Sequence, residues 1–275
     1  MTYATVMVGM ALDQSNEARL EVAGQLAERF VSTVIGIAAA EFSPPLYFTD
    51  GEQAEKVIDQ GRAAVKNRLA DLEAEFRAAM QNRATEAEWR SAEDFPARYI
   101  IPEARAADII VVGEARGGIG DPFSQIDPGD LVMQAGRPLL VVPDTCNWLD
   151  LRSVLIAWKD TAEARRALAH ALPMLRKATD VAVVEIVEGQ VDRAAALSRV
   201  KDVAAWLSRH GVRASERVSD ECGDAATQLE RIASEVGAGV IVAGAYGHSR
   251  LREWILGGVT RRLINPSNRC SLLSR

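Results

Sequence analysis

The chain has 275 residues, of which 48% are hydrophobic and 25% are charged, as in ordinary globular proteins. Its 32 basic and 38 acidic residues give a net charge of -6, which argues against a general nucleic-acid binder. The first residues lack the basic segment of a signal peptide, and no apolar run approaches the ~20 residues of a membrane span. We therefore expect a cytoplasmic protein without a membrane partner.

The first half alternates short apolar runs with amphipathic segments. Residues 6–39 predict a strand, a polar turn, a helix and a second strand. Residues 52–80 predict a long helix, because apolar and small residues share one of its faces. These residues are Val57, Gly61, Val65, Leu69, Leu72, Phe76 and Met80.

The second half repeats the pattern of the first. Residues 154–187 match residues 6–39 around a shared Glu-Ala-Arg triplet, and residues 234–248 match residues 104–118. An internal duplication is the simplest explanation. It predicts a first domain over residues 1–145 and a second over residues 151–275, with a short polar linker between them.

In the second half we predict strands at SVLIAW, VAVVEIV, VRASERV, GVIVAG and CSLL. The helices are expected at residues 162–177, 191–210, 223–236 and 258–264. Runs that are apolar on both faces and alternate with helices are typical of parallel sheets covered by helices. The fold class predicted for the chain is therefore α/β, with two tandem doubly wound (Rossmann-like) domains.

The three cysteines, Cys146, Cys222 and Cys270, are far apart in the sequence and odd in number. They show no C-x-x-C spacing. We expect free thiols in a reducing compartment rather than a metal site or a disulfide.

A glycine-rich loop, AGAYGHSRLREWILGGVT, follows a strand expected near the centre of the second sheet. Gly244 and Gly247 would let the backbone approach a ligand closely, and Gly257 and Gly258 open the last helix. Thr260 offers a hydroxyl, and Arg250 and Arg252 are suited to phosphate oxygens. The same glycines would equally serve a tight turn and a helix break, so spacing alone leaves both interpretations open.

The spacing G-x2-G-x9-G after the fourth strand of a domain resembles that of the universal stress proteins. Gly244, Gly247 and Gly257 match it, and the resemblance covers essentially the whole chain as two consecutive domains. It implies a five-stranded parallel sheet in each domain, domains paired through their last strands, and ATP over the glycine loop. With the loop residues considered above, the candidate binding residues are Gly244, Gly247, His248, Arg250, Gly257, Gly258, Val259, Thr260 and Asp160. His248 would equally be an ordinary loop residue held by backbone hydrogen bonds.

Both halves depart from the family pattern. In the second half Gly258 replaces the motif's Ser or Thr, and Lys159 stands where binding members carry an acid, with Asp160 one residue away. In the first half Asp13 keeps that acid, but the loop after Gly113 lacks the second glycine. The negative charge of Asp130 would also repel a phosphate there. Asp130 is better explained as stabilising the N-terminus of its own helix. We expect the first site to be lost for ATP and the second to be weakened, altered or used by another ligand.

The sequence shows no Walker A motif, nucleophile elbow or metal-spaced His and Cys set, so no catalytic residue is predicted. Two functions remain open. One is a stress-response module that binds an adenine nucleotide or another anion in the second half. The other is a scaffold, an intramolecular pseudo-dimer that has lost nucleotide binding. Slow ATP hydrolysis is a weaker third hypothesis, and a monomer and a homodimer fit the sequence equally.

Overall fold

The computed structural model describes residues 2–44, 51–115, 123–187, 192–220, 224–246, 258–265 and 267–275. The first-half strands are β1 (Thr5–Gly9), β2 (Thr33–Ala39), β3 (Ala87–Ala92), β4 (Ile109–Gly113) and β5 (Leu139–Val142). The second-half strands are β6 (Ser153–Trp158), β7 (Asp180–Val187), β8 (Ser215–Asp220), β9 (Val240–Gly244) and β10 (Cys270–Ser274). The helices are α1 (Glu17–Phe30), α2 (Gly51–Met80), α3 (Pro96–Glu103), α4 (Pro128–Gln134), α5 (Ala162–Leu175), α6 (Arg193–Arg209), α7 (Ala225–Glu235) and α8 (Gly258–Ile264).

The described strands form one ten-stranded sheet in the order β3-β2-β1-β4-β5-β10-β9-β6-β7-β8. Neighbouring strands are parallel within each half. The two halves meet where β5 and β10 pair antiparallel, with Leu140 opposite Leu272. The fold prediction is confirmed, including five parallel strands in each half and pairing through the last strands.

The central strands are apolar throughout because helices cover both faces of the sheet. Val6 and Val8 of β1 belong to the core beneath α1, α2, α5 and α6. Met7, between them, points to the opposite face and belongs to the core beneath α3, α4, α7 and α8. All three side chains are fully buried.

Helix α2 is buried over only part of the face that the sequence predicts. Leu69, Leu72, Phe76 and Met80 are buried, whereas the earlier positions on that face are only half-buried. Thirty helical residues span ~45 Å, but the seven residues of β2 span only ~23 Å, so the first turns of α2 extend past the sheet. Among the described helices none, α2 included, combines the length and apolar character needed to cross a membrane.

Strand β8 begins three residues later than the sequence predicts. Gly211 adopts a left-handed conformation with φ of 79°. The N–H of Val212 then donates to the carbonyl of Leu207 at 3.0 Å. This is the pattern of a glycine-terminated helix, and it keeps Val212 with α6 instead of the strand.

Side-chain and loop contacts join the halves on both faces of the sheet. The Tyr3 hydroxyl donates to the carbonyl of His170 at 2.8 Å. On the other face, the N–H of Ala115 donates to the carbonyl of Ile264 at 2.7 Å. The linker is fixed as well, because Leu149 donates its N–H to Gln25 Oε1 at 2.8 Å.

His170 should make the stability of the fold depend on pH. Its Nδ1 lies 2.9 Å from the hydroxyl of Ser274 in β10. Burial, with smaller contributions from Arg137 and Arg166, lowers the pKa of His170 below its ordinary value of 6.5. Protonation therefore favours the unfolded chain, and stability should decrease as the pH falls below about 6.5.

Urea unfolding of the full chain at pH 8.0 and pH 5.5 measures this effect. We expect the wild type to lose more stability between the two conditions than the variant His170→Gln, which cannot take up the proton. Equal losses in the two proteins would show that His170 does not contribute to the pH dependence.

Candidate functional site

The strand order reverses at one place in each half, between β1 and β4 and between β6 and β9. In open parallel sheets, ligands bind beyond the carboxyl ends of the strands at such a reversal. We call these places the first edge, next to Gly9 and Gly113, and the second edge, next to Trp158 and Gly244. The predicted ligand site belongs to the second edge.

Gly244 is required by helix packing at the second edge. A Cβ on Gly244 would lie 2.5 Å from the backbone nitrogen of Ala164 and 2.7 Å from the carbonyl carbon of Glu163. Both atoms belong to the first turn of α5. The first glycine of the motif thus lets the start of α5 pack directly on the end of β9.

Thr260 also has a structural role within the fold. Its side chain is buried. Its Oγ1 accepts a weak hydrogen bond from the backbone N–H of Tyr246, with 3.4 Å between the nitrogen and the oxygen. Tyr246 is in a left-handed conformation with φ of 62°, an uncommon state for a residue with a side chain. The Thr260 hydroxyl therefore supports the backbone where the glycine loop begins.

The other predicted residues of the loop differ in their surroundings. Val259 is half-buried and packs on the core beneath α8. Gly258 is exposed, and no atom of the described residues lies within 4 Å of a Cβ built on it. The remaining predicted loop residues lie outside the described ranges; they are Gly247, His248, Arg250 and Gly257.

Asp160 lies at the surface of the second edge and is paired with a cation. Its Oδ1 accepts a hydrogen bond from Arg165 Nη2 at 2.8 Å, and about half of each side chain is exposed. Beside it, Thr161 caps α5 by accepting the N–H of Ala164 at 3.3 Å. The acid that would contact a nucleoside is therefore partly neutralised by Arg165.

The first edge is filled by Arg19, which is 3% exposed. Its Nη1 donates to the carbonyl of Gly9 at 3.4 Å and its Nη2 donates to Gln14 Oε1 at 3.2 Å. A Cβ on Gly113 would lie 2.3 Å from Nη2. The guanidinium thus occupies the space at the ends of β1 and β4.

The sequence did not single out Arg19. Arg19 and Arg165 hold the same position in the repeated Glu-Ala-Arg triplet, yet one is buried and the other is largely exposed. The matching partners, Gln14 and Asp160, each lie five residues before their arginine. The local sequence difference between the two triplets is that Arg19 has the neutral partner Gln14 where Arg165 has the acidic partner Asp160.

The N-terminus of α4 lies at the junction of the two halves. Asp127 caps the helix, since its Oδ1 accepts the N–H of Gly129 at 2.6 Å. Asp130 lies in the first turn, as expected, and burial together with the Asp127 carboxylate raises its pKa.

The Tyr246 hydroxyl lies 3.1 Å from the position of a Cβ on Gly129. Burial and these two carboxylates raise the pKa of Tyr246 to about 12, so the phenol stays protonated at neutral pH.

Two further acids of the second half, Glu185 and Asp224, form an ion pair and cap a helix, respectively. Glu185 of β7 accepts hydrogen bonds from Arg199 Nε at 3.1 and 3.2 Å. Asp224 caps α7 by accepting the N–H of Thr227 at 2.9 Å. Within the described ranges, no three His, Cys, Asp or Glu side chains form a group that could hold a metal ion.

The chain is similar over nearly its whole length to solved structures of universal stress proteins. One from Archaeoglobus fulgidus DSM 4304 superposes with a TM-score of 0.72 and 17% identity, covering 98% of this chain and 96% of that chain. A protein of unknown function from Pseudomonas aeruginosa PAO1 superposes with a TM-score of 0.61 and 16% identity, covering 99% of this chain and 92% of that chain. For a candidate universal stress protein from Pseudomonas aeruginosa UCBPP-PA14 the TM-score is 0.59 and the identity 16%, with 99% of this chain and 93% of that chain covered.

No family model matches the sequence, and no curated protein does. At these identities the structural similarity shows a shared fold. It confirms the expected resemblance to the universal stress proteins at the level of architecture, with both halves of the chain covered.

Proposed function

We propose that the chain is a tandem stress-response protein of the universal stress type, which acts in the cytoplasm by binding and not by catalysis. Residues 1–145 and 151–275 would be its two domains, joined within one chain as a pseudo-dimer. The architecture supports this proposal, since two parallel five-stranded halves pair through β5 and β10. The ligand proposed for the second domain is an adenine nucleotide or a similar anion.

The observation that carries the restriction to the second domain is the different placement of two matching arginines. Arg19 is buried at the first edge, where its guanidinium takes the space beyond Gly113. Arg165 lies at the surface of the second edge with 59% of its side chain exposed. The exposed guanidinium of Arg165 could bind an anionic ligand. The buried guanidinium of Arg19 instead fills the space that a ligand would need at the first edge.

The proposed contacts on the second edge are those of the glycine loop. Among the described residues no atom lies within 4 Å of a Cβ built on Gly258, and the loop residues Gly247, His248, Arg250 and Gly257 would complete the site. Asp160 would reach a nucleoside only after leaving Arg165. This exchange would weaken binding compared with a site that carries an unpaired acid.

A specific observation favours the second candidate function, an interaction scaffold without nucleotide. Gly244 and Thr260, two residues of the predicted site, are already used to pack α5 and to hold Tyr246. Tyr246 in turn contacts the start of α4 in the other half. The base of the loop is therefore held by contacts between the protein's own residues.

Nucleotide release from freshly purified protein separates the two candidates. The protein would be denatured, its supernatant chromatographed, and stripped protein titrated with ATP and Mg²⁺ by calorimetry. Stoichiometric adenine nucleotide supports the binding module. An empty protein without heat at millimolar ATP supports the scaffold.

Restoring the hydroxyl of the motif should strengthen binding. We expect Gly258→Ser to bind ATP about 5–10-fold more tightly than the wild type, because one added hydrogen bond contributes ~1 kcal/mol. Gly258→Ala is the matched control, since it adds the same Cβ without the hydroxyl. Equal affinities for the serine and alanine variants would place the phosphates elsewhere.

A further inference from the structure

Two cysteines that are 124 residues apart in the sequence meet at the start of β10. Cys146 lies in the linker after β5, and Cys270 is the first residue of β10. Their Sγ atoms are 3.5 Å apart, and both thiols are free. A disulfide bond would require the two sulfurs to approach to about 2.0 Å.

The two thiols differ in their access to solvent. Cys146 is half-buried and lines a surface cavity of about 430 Å³ together with Trp148, Asp150 and Arg269. Cys270 is 1% exposed and lies behind Cys146. A small oxidant that enters the cavity therefore meets the sulfur of Cys146 first.

The wall of this cavity is held in place by hydrogen bonds. Arg269 Nη1 donates to the carbonyl of Ala238 at 2.8 Å, and its Nη2 donates to Ser234 Oγ at 2.8 Å. On the other side, the guanidinium of Arg29 stacks over the Trp148 ring at 5.0 Å. The cavity at Cys146 is thus a formed feature of the surface.

The contact between the sulfurs also sets which of them ionises first. The hydrogen-bonding contact with Cys270 lowers the pKa of Cys146 to about 7. The same interaction and burial raise the pKa of Cys270. The lowered pKa favours the thiolate form of Cys146, which is the form that attacks electrophiles.

We propose that Cys146 and Cys270 form a peroxide-reactive dithiol site, with Cys146 as the attacking thiol and Cys270 as the thiol that closes the disulfide. The Cys146 thiolate attacks the terminal oxygen of a hydroperoxide, so that an S–O bond forms and the O–O bond breaks, and the leaving alkoxide or hydroxide takes up a proton from water. The sulfur is oxidised to a sulfenic acid, and the peroxide is reduced to an alcohol, or to water for hydrogen peroxide.

The second step joins the two cysteines. The Cys270 sulfur attacks the Cys146 sulfur, an S–S bond forms and the S–O bond breaks. The leaving hydroxide takes the proton of Cys270 and departs as water. One hydroperoxide and two thiols thus give one disulfide, one alcohol or water, and one further water. An external thiol reverses the reaction by disulfide exchange.

The disulfide would close a ring around nearly all of the second half, from the linker to β10. Closing a loop of this length removes much conformational freedom from the unfolded chain. For a chain of this size we expect the oxidised protein to melt at least about 5 °C higher than the reduced protein. Oxidation would therefore fasten the linker to the strand at which the halves meet.

Treatment of the full-length protein with one equivalent of hydrogen peroxide tests the proposal. The chain contains three cysteines, so we expect the titratable thiols of the unfolded product to fall from three to one. Peptide mapping without reductant should find Cys146 joined to Cys270, and dithiothreitol should restore all three thiols. Cys222→Ser is the matched control and should form the same bridge and show the same rise in melting temperature.

Two variants separate the roles of the thiols. Cys146→Ser should form no bridge, and Cys270→Ser should leave a sulfenic acid on Cys146 that dimedone traps. Circular dichroism would establish that both variants are folded. In case they are not, the wild type gives an independent readout, because iodoacetamide should label Cys146 at least ten-fold faster than Cys270.

A bridge to Cys222, labelling of Cys270 before Cys146, or loss of two thiols in folded Cys146→Ser would overturn the proposal. Three thiols remaining after peroxide treatment would overturn it as well. None of these readouts depends on a bound nucleotide, so the dithiol site and the proposed ligand site stand or fall separately.

Discussion

Replacing Arg199 with methionine is expected to lower the free energy of unfolding by about 2–4 kcal/mol. The side chain of Glu185 in β7 is 9% exposed and receives hydrogen bonds from Arg199 in α6. Methionine keeps most of the apolar stem of the arginine but removes its charge and its donors. The carboxylate of Glu185 would then be buried without its partner, which costs much more than the pair itself contributes.

Two variants determine whether burial is the cause. Arg165→Met removes a cation from an exposed pair with Asp160, and such pairs contribute about 0–1 kcal/mol. The double variant Glu185→Gln with Arg199→Met should recover part of the loss, because a neutral amide is easier to bury. Urea unfolding of the variants measures each difference. Equal losses for Arg165→Met and Arg199→Met would contradict the explanation.

Much of the fold could be predicted because the central strands are apolar on both faces. The run SVLIAW begins and ends where strand β6 does. Helix α8 also has the bounds expected from the sequence, residues 258–264. The repeat predicts two similar halves, and the strand order confirms this. These features depend on local patterns of polarity, which a single sequence displays directly.

The differences arise where the neighbouring structure overrides the local pattern. The first turns of α2 carry the same apolar spacing as its later turns, but the sheet is too short to cover them. Val212 looks like the start of a strand, but the left-handed Gly211 turns it back onto α6. In both cases the deciding atoms are distant in the sequence or lie in the backbone geometry.

The candidate site was less predictable than the fold for the same reason. The triplets that contain Arg19 and Arg165 are identical, and only the packing at each edge decides which guanidinium is buried. Cys146 and Cys270 were expected to be separate thiols because no short spacing links them. The antiparallel pairing of β5 and β10 brings their chain segments together.

Replacing Gly244 with alanine is expected to destabilise the fold by about 2–3 kcal/mol. The new Cβ would lie 2.5, 2.7 and 2.9 Å from three backbone atoms in the first turn of α5. Backbone cannot rotate away as a side chain can, so α5 would have to shift from the sheet. Chemical denaturation of the folded variant measures the loss.

Gly113→Ala is the matched control at the first edge, because Gly113 ends β4 as Gly244 ends β9. There the nearest atom is the end of the Arg19 side chain, which can move at the expense of its two long hydrogen bonds, to Gly9 and to Gln14. We expect a loss of about 1 kcal/mol or less. If Gly113→Ala is as costly as Gly244→Ala, contact with the α5 backbone is not the reason for Gly244.

The comparison with Gly258 assigns different roles to the glycines of one motif. A Cβ on Gly258 meets no atom of the described residues, so Gly258→Ala should leave stability nearly unchanged. A glycine that is needed for packing would persist in a chain that had lost its ligand, whereas an open one need not. Gly244 is therefore compatible with the scaffold as well as the binding module, and nucleotide affinity in the Gly258 variants is the sharper evidence for a ligand.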